Sequence, residues 1–67
     1  MTKYKHISFL KDQAGFYVCV NNHTQAELGK VEFYTRWKKW CYFPTVQAVY
    51  SSDCLQDIAN FLEKLDP

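Results

Sequence analysis

The chain has 67 residues and a formal net charge of +1 at pH 7, which limits it to one small domain. The near-neutral charge excludes a polyanionic DNA mimic and a strongly basic protein that binds nucleic acid by counterion release alone. Apolar residues make up 48% of the sequence and aromatic residues 18%, so a core rich in rings is expected. We therefore expect residues 1–67 to form a single folded domain.

The first half of the chain predicts a β-hairpin. Residues 4–10 alternate in polarity, with Ile7 and Phe9 expected to face the core. Residues 16–20 are β-branched and aromatic, and a turn that contains Gly15 separates the two strands. The polar residues 21–27 that follow are expected to form a loop.

A second hairpin is predicted from strands at 30–34 and 39–43 with a turn at 35–38. The expected core face holds Val31, Phe33, Cys41 and Phe43. The expected opposite face holds Glu32, Tyr34, Trp40 and Tyr42, with Tyr4 and Tyr17 as further candidates. Pro44 is expected to end the last strand, because proline cannot donate to a sheet ladder.

The C-terminal region predicts one amphipathic helix over residues 53–65. Residues 46–50 before it are expected to form a short extra strand or a crossing segment. Ser51 and Ser52 are suited to the N-cap, and Asp53 suits the positive end of the helix dipole. The apolar stripe holds Leu55, Ile58, Ala59, Leu62 and Leu65, widened by Cys54 and Phe61. The fold class is therefore α+β: a four-stranded antiparallel sheet of two hairpins with one C-terminal helix on one face.

Catalysis and metal binding find little support in the sequence. The two histidines, His6 and His23, come without the third orienting group and oxyanion hole that a Cys-His nucleophile needs. Three cysteines lack CxxC spacing, which is typical of reduced thiols in a cytosolic protein and not of a zinc site. No apolar run is long enough to span a bilayer. We expect no catalytic residue, metal, cofactor or membrane association.

The segment 34–42 interleaves cations with aromatic rings, as nucleic-acid grooves and protein-binding hot spots both do. The expected alternation divides the cations between the faces or leaves them in the turn, because Lys39 shares a face with Cys41 and Lys38 shares one with Trp40. This distribution and the near-zero net charge favour charges that decorate an exposed hairpin tip over nucleic-acid binding, whereas the clustered aromatic residues favour a protein partner or self-association. The candidate binding residues are Tyr34, Arg36, Trp37, Lys38, Trp40 and Tyr42.

The second half of the chain resembles a group of small uncharacterised proteins encoded on bacteriophages, prophages and other mobile elements. The resemblance rests on a Leu-Gly pair, an aromatic hairpin with a Trp near its turn, a Phe-x-Pro-like strand end and a Cys-Leu-x-Asp-Ile-x-x-Phe helix. The matching positions are Leu28, Gly29, Trp37, Phe43, Pro44, Cys54, Leu55, Asp57, Ile58 and Phe61. The resemblance covers residues 28–65 and brings no catalytic residues with it.

The resemblance implies an accessory or counter-defence protein of the anti-CRISPR kind. Such a protein binds a host protein complex in the bacterial cytoplasm and inhibits a defence system. Two alternatives stay open from the residues themselves. The first is a small nucleic-acid-binding protein that uses the hairpin 34–42, and the second is a homodimerising structural protein.

Overall fold

The computed structural model describes residues 2–66, which form one five-stranded antiparallel sheet and one helix. The strands follow one another in the sheet in chain order, β1 to β5. Their bounds are β1 Thr2–Lys3, β2 Ile7–Lys11, β3 Tyr17–Asn21, β4 Glu27–Tyr34 and β5 Lys39–Pro44, followed by helix α1 at Ser52–Leu65. The α+β class, the antiparallel sheet and the C-terminal helix are confirmed, whereas the sheet has five strands and not four.

The extra strand β1 lies before the predicted first strand, because residues 4–6 form a tight turn and do not begin that strand. The Tyr4 N–H donates to the Ile7 carbonyl at 2.8 Å, so the chain reverses and Thr2 pairs with Phe9. The Asn22 side-chain amide donates to the Tyr4 carbonyl at 2.8 Å and fixes this turn from the neighbouring strand end. Alternation alone could not reveal the turn, because Tyr4, Lys5 and His6 continue the alternating pattern of the residues that follow them.

The hydrophobic core lies between one face of the sheet and α1. Its buried residues are Ile7, Phe9, Cys19, Val31, Ile58 and Phe61. The rings of Phe9 and Phe61 stack with centroids 4.0 Å apart, and Tyr17 meets Phe61 edge to face at 5.0 Å. Large rings of this kind let a short chain bury enough apolar area to fold.

Helix α1 begins as the sequence predicts but presents a rotated face to the sheet. The Ser51 hydroxyl accepts the Cys54 N–H at 3.3 Å, which confirms this residue as the N-cap. Leu55 and Ala59, expected in the buried stripe, lie exposed, and Leu55 keeps 54% of its surface. The residues that pack on the sheet are Cys54, Ile58, Phe61, Leu62 and Leu65. The large Phe61 ring decides the rotation because it stacks on Phe9.

The expected orientation of β5 is wrong. Val31 pairs with Tyr42 and Phe33 pairs with Trp40, and directly paired residues project from the same face of a sheet. Because Val31 belongs to the core, Trp40 and Tyr42 lie on the face toward α1. The predicted exposure of Tyr4 and Tyr17 on the other face is also wrong, since both rings pack against the core cluster.

The segment between β5 and α1 contains no strand and crosses from the sheet to the helix. It brings Tyr50 against the core cluster. The alternative of a crossing segment is therefore the correct one for residues 46–50.

Candidate functional site

The sheet face turned away from α1, here called the outer face, carries the candidate site on its β4–β5 half. Strand register places three pairs there: Lys30 with Phe43, Glu32 with Cys41, and Tyr34 with Lys39. No helix among residues 2–66 covers this face. The outer face of the hairpin therefore combines aromatic and charged side chains at the surface.

A shallow groove lies at the turn end of this face, with a volume of about 220 Å³. We call it the aromatic groove, and it is lined by Tyr34, Trp37, Cys41, Tyr42 and Phe43. The Tyr34 ring meets Trp37 at 5.1 Å and nearly at a right angle, and it meets Phe43 at 6.2 Å. Trp37 keeps 68% of its surface exposed and Phe43 keeps 40%, so both rings are available to a partner.

The turn between β4 and β5 sets the position of Trp37. Its four residues, 35–38, connect Tyr34 to Lys39, and the Trp37 N–H donates to the Tyr34 carbonyl at 3.2 Å. Lys38 then adopts φ 54°, a left-handed conformation that returns the chain to β5. The turn thus holds the indole beside the Tyr34 ring.

Two of the four hairpin cations lie on the outer face and two in the turn, so the turn position that the sequence left open applies to Arg36 and Lys38. Lys39 lies on the outer face as the neighbour of Tyr34, and Lys30 lies there as the neighbour of Phe43. Arg36 and Lys38 are exposed in the turn. Aromatic rings and positive charges therefore share one surface, with Glu32 as the acidic residue of this part of the face.

Trp40, one of the expected binding residues, contributes to the core side of the sheet. Its ring meets Tyr17 and Phe33 edge to face, each at 5.9 Å. Its backbone N–H donates to the Asp66 carboxylate at 3.2 Å, which ties the end of α1 to the strand. These contacts hold the hairpin against the helix.

Tyr42, another expected binding residue, belongs to a hydrogen-bonded pair of tyrosines. The Tyr50 hydroxyl donates to the Leu28 carbonyl at 2.6 Å and lies 2.7 Å from the Tyr42 hydroxyl. Because a phenol has one proton, Tyr42 is the donor within the pair. Burial raises the pKa of both phenols, and it raises the pKa of the neighbouring Cys19 thiol to about 11.

The six expected binding residues therefore fall into two sets. Tyr34, Arg36, Trp37 and Lys38 come together at the turn end of the outer face, whereas the rings of Trp40 and Tyr42 pack against the core. The predicted orientation of β5 placed Cys41 and Phe43 on the core face, whereas both belong to this surface. The turn length held the signal, because a four-residue turn pairs residue 34 with residue 39 and thereby fixes the face of every later residue of β5.

A second depression of about 190 Å³ lies on the outer face near β1. It is lined by Lys3, Ser8, Leu10, Val20, Asn22 and Gln25. The Ser8 hydroxyl donates to the Asn22 side chain, which in turn holds the Tyr4 turn. The hydrogen bonds of Ser8 and Asn22 therefore stabilise the turn between β1 and β2.

Residues 2–66 can also be considered for metal binding and for membrane insertion. His6 and His23 lie with ring centroids 6.5 Å apart, and residues 2–66 contain no group of three or more His, Cys, Asp or Glu placed to hold a metal ion. Within the same residues, no helix is long and apolar enough to cross a membrane. No protein-family model, curated protein or solved structure matches this chain.

Proposed function

We propose that this chain is a non-enzymatic interaction module that binds a partner protein through the aromatic groove. The observation that carries the proposal is a pair of exposed rings, Trp37 and Phe43, beside the half-buried Tyr34 on a sheet face that α1 leaves open. Clustered exposed aromatic residues often mark interaction sites. Tryptophan, tyrosine and arginine are also the residue types enriched at binding hot spots, and Arg36 lies in the same turn.

The setting in which this module would act is also a proposal. The resemblance to proteins of phages and mobile elements supports a host protein complex in the bacterial cytoplasm as the partner, and inhibition of a defence system as the result. The groove itself supports binding of a partner and is independent of that setting.

A second candidate function is binding of single-stranded nucleic acid on the same face. The register favours it more than the sequence did, because Lys30 and Lys39 lie beside Phe43 and Tyr34. Stacking platforms for single strands combine aromatic rings with a cationic track. Glu32 lies among these residues, next to Cys41, and its carboxylate would repel a phosphate backbone. Nucleic-acid binding is therefore the second candidate.

The proposed function is tested by capturing proteins from a bacterial lysate with the immobilised wild-type chain and two variants. Trp37→Ala removes the exposed indole, and Leu55→Ala is the matched control because Leu55 is an exposed apolar residue on α1. We expect a bound protein that is retained by Leu55→Ala and lost by Trp37→Ala. Equal capture by both variants would contradict the assignment of the groove.

A titration with fluorescent oligothymidylate separates the second candidate from the first. The proposed function predicts no binding at physiological salt. Binding that weakens steeply with salt and disappears in Trp37→Ala would instead establish the nucleic-acid function.

A further inference from the structure

We propose that the occupant of the aromatic groove is an acidic segment of a partner protein that inserts one large apolar side chain among Tyr34, Trp37 and Phe43. This inference rests on the proposed function and specifies the chemistry of the partner. Three observations carry it: the charge of the hairpin, the dimensions of the groove and the position of Glu32.

The charge of the hairpin differs from that of the rest of the chain. Residues 30–43 contain four basic side chains and one acidic side chain, a net charge of +3 in a chain whose total is +1. Helix α1, on the opposite side of the sheet, contains three acidic and one basic side chain. A partner segment rich in Asp and Glu therefore complements the outer face and is repelled by the helix side.

The groove fits a single side chain. Its volume of about 220 Å³ lies below the roughly 300–1,000 Å³ of typical small-molecule pockets. The Tyr34 ring meets Trp37 at 88° and Phe43 at 69°, so the rings form an apolar slot and not a row of parallel stacking surfaces. An aromatic or large aliphatic anchor fills such a slot, as a hot-spot residue does at a protein interface.

Glu32 distinguishes an acidic peptide from a nucleic acid. It lies beside Cys41, a lining residue of the groove, with Lys30 and Tyr34 as its same-face neighbours along β4. A nucleic acid carries a phosphate at every nucleotide and would meet this carboxylate. A peptide can place its uncharged anchor over Glu32 and its carboxylates at the flanks, near Lys30, Lys39 and the turn.

A second copy of the chain is a poor occupant of the same face. In a symmetric dimer each patch meets its own counterpart across the two-fold axis. Two hairpins that each carry a net charge of +3 would then face each other. Like charges across an interface disfavour association, so the hairpin is better suited to an acidic partner.

The test is a selection of random peptides displayed against the immobilised wild-type chain, followed by affinity measurements on one synthesised enriched peptide. We expect the enriched peptides to carry Asp or Glu on both sides of one Trp, Phe or Leu. Trp37→Ala should weaken binding about 30-fold or more, as loss of a hot-spot residue does. Charge reversal by Lys39→Glu should weaken it about tenfold, and Arg36→Glu should do the same independently.

Lys11→Glu is the matched control, because Lys11 is exposed but pairs with Tyr17 on the other face of the sheet. We expect it to change the affinity less than about twofold. Peptides that require Trp37 but lack acidic residues, or that bind equally well to Lys39→Glu, would overturn this inference and leave the proposed function intact. Recovery of no Trp37-dependent peptide would contradict both. A dimer in sedimentation that is lost in Trp37→Ala would overturn the inference in favour of a second copy.

Discussion

At the scale of single residues, Gly29 shows how closely Tyr42 is fitted into the sheet. A Cβ atom on Gly29 would lie 2.6 Å from Cζ of Tyr42 and 2.8 Å from the Phe43 carbonyl oxygen. The missing side chain therefore provides the space that the Tyr42 ring occupies. This packing explains why a glycine is accepted inside β4 despite its low strand preference.

We predict that Gly29→Ala lowers the free energy of unfolding by about 1–3 kcal/mol, because overpacking forces the Tyr42 ring or β5 to move. Urea denaturation measures the change. Lys30→Ala is the control, since it adds no atom and lies one residue further along β4 on the outer face. A Gly29→Ala variant as stable as wild type would show that Tyr42 does not occupy this position.

The buried thiol and phenols predict a loss of stability at alkaline pH. Burial raises the pKa of Cys19 from 9.0 to about 11 and raises the pKa of Tyr42 and Tyr50. The unfolded chain then releases these protons at a lower pH than the folded chain. The stability they provide is therefore complete below about pH 9 and falls as the pH rises above it.

Urea midpoints measured at about pH 7 and about pH 10 test this dependence. We expect a lower midpoint at the higher pH and a smaller decrease in Tyr42→Phe, which lacks one of the titrating groups. An equal decrease in Tyr42→Phe would assign the alkaline sensitivity to other groups.

At the scale of elements, β5 shows which part of the fold can be predicted and which cannot. The strand contains Trp40 and Tyr42 on one face and Cys41 and Phe43 on the other, so both faces are apolar and alternation does not distinguish them. In β4 one face is polar, with Lys30 and Glu32, so alternation indicates which face points inward. The inward position of Val31 was therefore predicted correctly.

The orientation of β5 depends on turn length and on the residues that it meets. The four-residue turn aligns Trp40 with Phe33 and Tyr42 with Val31. The predicted strands and the four-residue turn contain this pairing, whereas hydrophobicity alone indicates the opposite orientation. The α+β class and the N-cap at Ser51 could be predicted because each depends on local residues. The membership of the groove follows from the register that the turn length fixes and not from hydrophobicity.

Comparison of Trp40→Ala with Trp37→Ala tests the assigned orientation of β5. Trp40 packs against the core cluster and its loss should lower the free energy of unfolding by roughly 2–4 kcal/mol. Trp37 is exposed, so its loss should change stability by no more than about 0.5 kcal/mol. Thermal unfolding of both variants gives the answer. The reverse order of stabilities would mean that the sheet faces have been assigned the wrong way round.

At the scale of the whole molecule, the sheet separates two surfaces of opposite charge. The basic hairpin occupies the outer face and the more acidic α1 covers the other side. Such a separation would orient the proposed acidic partner toward the groove before contact, and ionic strength would weaken this effect. A 67-residue domain is also only marginally stable. Core rings such as Trp40 are therefore needed for folding, whereas Trp37 is free to serve binding.

The most direct test of the central claim is to map a peptide selected by display, whatever its composition, onto the chain by backbone amide chemical shifts. The aromatic groove predicts the largest shift changes at Tyr34, Trp37, Cys41 and Phe43 and in the turn 35–38, with small changes along α1. Largest changes on α1 or in the β1–β2 turn, with the hairpin unaffected, would contradict the claim that the outer face of the hairpin is the docking surface.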